Sequence, residues 1–124
     1  MLTLEQIIRA LEAIDELDLA QTDGFYELHS SIAAQLGWTL HDAVECVWKA
    51  PDGKMDQPPR YVFSLDAALT LLPPETNWIV GNFDVYVHMG GTPYAQVADI
   101  TAYGETAVVS LCLAAMLFRQ STIK

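Results

Sequence analysis

Positive charge is scarce in this sequence. Only Arg9, Lys49, Lys54, Arg60, Arg119 and Lys124 are basic, against 16 carboxylates, for a net charge of −10. Phosphate binding needs clustered cations, and these are scattered, so direct nucleic-acid binding is not expected. Cysteine is also sparse. Cys46 and Cys112 are far apart and form no CxxC pair, which reads as two reduced thiols rather than a disulfide. The uncharged run Ala107–Phe118 falls short of the roughly 18 apolar residues of a membrane span, so no membrane partner is expected. The first segment reads as an acidic amphipathic helix and not as a charged-then-apolar leader, which makes the cytoplasm the expected location. With 52% hydrophobic and 18% charged residues the chain is globular rather than disordered. It carries no internal repeat and no linker, so residues 1–124 are read as a single domain.

The chain is organised around its last apolar stretch. From Ala107 to Phe118, Ser110 is the only polar side chain. A helix apolar on nearly every side belongs inside a core. Thr106 or Glu105 offers an N-cap oxygen after the break at Gly104, and Arg119 and Lys124 place positive charge at the negative end of the helix dipole. Earlier, Leu4, Ile7, Ile8 and Leu11 fall at helical spacing behind Thr3, with fraying or a turn expected near Leu17 because Asp15 enters the apolar stripe. Asp18 to Thr22 reads as a connection. Asp23 is placed to cap a helix over 24–36 that Gly37 stops, with Phe25, Leu28, Ile32 and Leu36 inward and His29 a structural histidine at the stripe's edge.

A short strand is expected over Val44–Trp48, then a turn at Ala50–Gly53 and an exposed loop over Met55–Pro59. Tyr61–Phe63 reads as extended, and Ser64 caps a helix over Leu65–Leu72 that Pro73-Pro74 ends. Trp78–Phe83 and Val85–Met89 are one bent strand or two, and Gly90-Gly91 marks a hairpin before a strand over Tyr94–Ile100. The expected class is α+β, an antiparallel sheet layered with helices around a buried C-terminal helix.

The stretch Pro59-Arg60-Tyr61-Val62-Phe63-Ser64-Leu65-Asp66-Ala67-Ala68-Leu69-Thr70-Leu71-Leu72-Pro73 resembles a signature of the phage ABA sandwich domain family, small proteins of phages and prophages. Trp78 matches that family's tryptophan-bearing strand, and Glu105–Met116 matches its closing helix, with Ala107 where a proline is common. The helix at 23–36 followed by Gly37-Trp38 matches more weakly. The resemblance implies an α/β/α sandwich encoded by a phage or prophage and working in the bacterial host. It implies no reaction. The matched positions look structural, with Ser64 capping, Leu65, Ala68 and Leu69 packing, and Asp66 facing the helix dipole.

No motif points to catalysis, a cofactor or a metal. Asp84 and His88, with Asp99 across the sheet, lack any HxH, HExxH or CxxC support. His41-Asp42 with Cys46 lacks a histidine evidently in reach of the thiol and an oxyanion hole. Gly90-Gly91-Thr92-Pro93 is not followed by a helix, so it does not cradle phosphate. Seven of the carboxylates precede Leu28 against the single Arg9, a face that either solvates an apolar protein or docks a basic partner. Glu5, Glu12 and Glu16 are its candidate contacts. Of the aromatic set Trp38, Trp48, Trp78, Tyr86 and Tyr94, Trp78 is expected in the core. Tyr86, Tyr94 and His88 form either a second contact surface or ordinary cross-strand packing. The leading expectation is a noncatalytic accessory protein that binds a host bacterial protein, for instance to block a defence system such as CRISPR. The alternative is a nucleotide-sequestering protein using the loop with Lys49, Lys54 and Arg60. The hydrophobic excess suits a homodimer under either reading.

Overall fold

The computed structural model describes residues 1–20, 22–83 and 92–122. Helix α1 (Leu4–Ala13) starts at a capping box, in which Thr3 Oγ1 accepts from the Gln6 N–H and the Gln6 side chain accepts from the Thr3 N–H. It buries Ile7, Ile8 and Leu11. The break, expected near Leu17, comes earlier, at Ile14, and the following segment is not a plain connection. Asp15 and Asp18 each accept the other's backbone N–H, at 2.8 and 3.1 Å respectively, and so cap a one-turn helix α2 (Glu16–Ala20). A 3₁₀ turn over Thr22–Phe25 then leads into α3 (Tyr26–Gln35), whose N-cap Phe25 makes no side-chain capping bond. Gly37 ends α3 as expected. With φ at +96° it lets its own N–H reach the Ala34 carbonyl and the Trp38 N–H reach the Ala33 carbonyl.

The next segment departs from the expected single strand at Val44–Trp48. Strands β1 (Thr39–Asp42) and β2 (Val47–Lys49) pair antiparallel, and the residues between them turn. Two local features force the reversal. Asp42 Oδ1 accepts from the Val44 and Glu45 N–H groups, and Cys46 adopts a positive φ of 55°. Strand β3 (Met55–Asp56), expected as loop, pairs with β2 and completes a small three-stranded sheet. Tyr61–Phe63 is a turn rather than an extended piece, closed by the Phe63 N–H on the Arg60 carbonyl. Helix α4 (Leu65–Leu69) is shorter than expected. Ser64 Oγ caps it by accepting from the Ala67 N–H, and i→i−3 bonds carry the chain on to Leu72.

A second sheet contains β4 (Trp78–Phe83), β5 (Thr92–Val97) and β6 (Ile100–Tyr103), all antiparallel in that order. The Gly90-Gly91 turn and the strand read at Val85–Met89 lie outside the described residues. In this register Val80, Ala95 and Ala102 share the inward face, and Ile79, Tyr94 and Tyr103 lie on the other. Helix α5 (Ala107–Thr122) packs on the inward face and also touches α1 and α4. The fold is therefore α+β, with antiparallel strands layered against helices and the C-terminal helix buried between sheet and α1. Trp78, expected in the core, is not buried. At the start of edge strand β4 it stays 42% exposed. Among the described residues no helix is long and apolar enough to cross a membrane.

The start of α5 is a tight joint. Thr106 Oγ1 caps it by accepting from the Val109 N–H, and buried Ser110 Oγ donates to the Thr106 carbonyl while accepting from the Gly104 N–H at 2.8 Å. A Cβ at Gly104 would stand 3.0 Å from the Ser110 nitrogen, so any other residue would require the helix start to shift. Ser110→Ala strands the Gly104 N–H without its partner. It should cost about 1–3 kcal/mol, read as a lower urea midpoint with an unchanged slope.

Candidate functional site

The acidic residues share one end of the chain but not one face. Glu5 and Glu12, seven apart on α1, lie on the same side of it and are exposed. Glu5 forms a 2.6 Å pair with Arg9, the only salt bridge among the described residues. Glu16 does not continue that row, because α1 has ended and Glu16 opens α2. Asp15, Asp18 and Glu27 are also exposed and widen the acidic area around the α1–α2–α3 corner. Sequence spacing alone singled out the helical row and missed these three, since the Asp15–Asp18 box changes the chain direction.

Tyr86 and His88 lie outside the described residues. Tyr94 is half-buried on the outward face of β5, with its ring edge 3.3 Å from where a Cβ on Gly81 would stand. Its aromatic neighbour in register is Tyr103, 57% exposed, which the sequence did not single out. Ile79, 55% exposed, extends the same face.

Lys49 and Lys54 flank the β2–β3 turn, held by the Ala50 N–H on the Lys54 carbonyl at 2.8 Å, and both are exposed. Arg60 sits elsewhere, close enough to His29 for its charge to act there. A cleft of about 350 Å³ opens between the hairpin and the helices, lined by Leu36, Trp38, Pro51, Pro59, Tyr61 and Thr70. None of the three cations lines it.

His29 is a buried polar group of the core. Its Nε2 accepts from the Val62 N–H at 3.3 Å, and its ring lies against Phe25, Tyr61 and Phe63. Burial, with a smaller push from Arg60, lowers its pKa to about 4. Burial also pushes the Cys112 thiol up to about 12, and its Sγ donates to the Tyr61 carbonyl at 3.3 Å. Burial, and then Cys112, likewise raise the Tyr61 hydroxyl. Such a thiol is inert. Asp42, weighed as part of a nucleophilic group, spends its carboxylate on the β1–β2 turn, and Cys46 points to the Ala43 carbonyl. Among the described residues no three His, Cys, Asp or Glu side chains converge on a metal site, and Asp84 lies outside them with His88.

No protein-family model, curated protein or solved structure matches this chain. Within the Pro59–Pro73 stretch, Ser64 caps and Ala68 is fully buried, but Leu65, expected to pack, is 39% exposed.

Two measurements follow from the core. An unfolded histidine takes up a proton near pH 6.5, whereas folded His29 does so only near pH 4. Between these values the unfolded state binds the proton, so this residue's contribution falls as the pH drops from about 7 towards 4. Relative to His29→Gln, which keeps an acceptor but takes up no proton, the wild type should lose on the order of 2–3 kcal/mol over that window in chemical denaturation. Maleimide should label Cys46 in the native protein and Cys112 only after unfolding, as counted by intact mass.

Proposed function

We propose that this chain is a noncatalytic phage or prophage accessory protein that binds a host protein in the bacterial cytoplasm. Its acidic N-terminal surface is the docking face, and the partner class is a defence protein with a basic groove built for nucleic acid. One observation carries the reading. Glu5, Glu12, Asp15, Asp18 and Glu27 are all exposed on the N-terminal elements, and only Glu5 is in a salt bridge among the described residues. Concentrated charge of one sign raises encounter rates with an oppositely charged groove and selects against other partners. The phage origin is supported by the Pro59–Pro73 resemblance.

The nucleotide-sequestering alternative is less well supported, because none of Lys49, Lys54 and Arg60 lines the cleft between the hairpin and the helices. A thermal shift against a nucleotide panel separates the two readings.

The test is capture of host proteins by the full chain, followed by reconstitution with the purified partner and native mass spectrometry, which also reports any homodimer. The triple variant Glu5→Gln, Glu12→Gln, Glu16→Gln should weaken the reconstituted complex by about tenfold or more at low salt, and added nucleic acid should compete with the wild type. Unchanged association in the triple variant would sink the acidic-face reading.

A further inference from the structure

Helix α1 has a second free side. Ala10 and Ala13 lie on the flank away from Glu5 and Glu12, and with Ile14 they form one wall of an open groove of about 370 Å³. Phe25 and Leu28 form the opposite wall, and Gly24 leaves the space between them unfilled. Two carboxylates, Asp18 and Glu27, border this apolar floor, and no cation among the described residues lines it. Both are exposed. One Asp18 oxygen accepts from the Asp15 N–H, which holds the side chain at the groove by the capping box.

We infer that this groove is a docking site for a short basic amphipathic segment of a partner protein, which inserts apolar side chains between α1 and α3 and sets Lys or Arg against Asp18 and Glu27. Three features select that occupant. The alanines and Gly24 keep the floor wide enough for inserted side chains. The volume lies at the small end of the roughly 300–1,000 Å³ range of binding pockets, which suits a few anchor side chains rather than a globular surface. The rim charge has one sign, so an acidic or neutral segment gains nothing there, while a basic one gains charge-assisted bonds at the edge of an apolar contact. The inference rests on the reading of the chain as a binding protein, but it uses a different side of α1 from Glu5 and Glu12.

Gly24 also provides the decisive variant. A Cβ placed there meets no heavy atom within 4 Å, and its backbone lies outside the left-handed region, so Gly24→Phe should fold normally and fill the groove. The ¹⁵N-labelled full chain would be titrated with a capped amphipathic peptide of leucine and lysine. Controls are the same peptide with serine for leucine and with glutamate for lysine. Shifts should concentrate at Ala13, Ile14, Gly24 and Leu28 for the leucine–lysine peptide alone. Gly24→Phe, with a native spectrum, should weaken binding by about tenfold or more. Asp18→Asn with Glu27→Gln should weaken it several-fold at low salt and little at about 0.5 M salt. Equal binding of the serine peptide, or undiminished binding to Gly24→Phe, overturns the inference. So does sedimentation as a dimer that Gly24→Phe converts to monomer, since a second copy would then own the groove. If the Glu5/Glu12/Glu16 variant loses a host partner while the peptide still binds, the groove stands apart from the acidic row. If the peptide fails while that variant still loses the partner, only the groove is lost.

Discussion

A 16-residue helix with no charge before Arg119 has to be covered on every side, and that requirement arranges the rest of this molecule. Eight consecutive residues of α5, Val109 to Met116, are buried. One sheet covers one side, and α1, itself amphipathic, covers another. Ala95 and Ala102 on the sheet's inward face are small enough to let the helix lie close. The amphipathic elements have one face each to give, and what they leave outward is what the protein offers to solvent or partners: Glu5 and Glu12 from α1, Ile79 and Tyr103 from the sheet.

Burial on this scale brings polar groups inside. Ser30 and Ser110 bond to nearby backbone, at Glu27 and at Thr106 and Gly104, while other buried groups reach backbone far along the chain. Ser31 Oγ accepts from the Leu2 N–H, His29 from the Val62 N–H, and Cys112 donates to the Tyr61 carbonyl. Arg119 donates to the Gln35 carbonyl at the end of α3, a terminus that otherwise lacks a positive side chain in its last turn. Its Nε is the one buried side-chain nitrogen or oxygen without a partner among the described residues. The His29 and Cys112 bonds fix how α3 and α5 sit against the turn at Tyr61–Phe63, which apolar contact alone leaves adjustable.

The parts that were legible in the sequence are those with a local cause. The α1 cap at Thr3, the stop at Gly37, the Ser64 cap and the burial of α5 all follow from residues within one turn of the feature. The misread parts depended on side chains folding back on the backbone or on strand pairing. Asp42 turns the chain where β-prone residues suggested a continuous strand, and Asp15 with Asp18 makes a helix of an apparent linker. Met55–Asp56 is a strand only because β2 lies beside it. Trp78 was assigned to the core by residue type, yet an edge position leaves one flank of a strand without a neighbour. The acidic corner was visible as composition, whereas the groove beside it was not, because alanines and a glycine signal space only once two helices are known to face each other.

The packing of α1 on α5 joins the first described helix to the last. Contacts of this span close a long loop, so the entropy of closure is spent before the core returns it, and folding is slowed accordingly. During synthesis α1 emerges well before α5. Until α5 appears, the apolar side of α1 and the inward face of the sheet lack the partner that buries them, which is the state in which a partly made chain is most open to association with its neighbours.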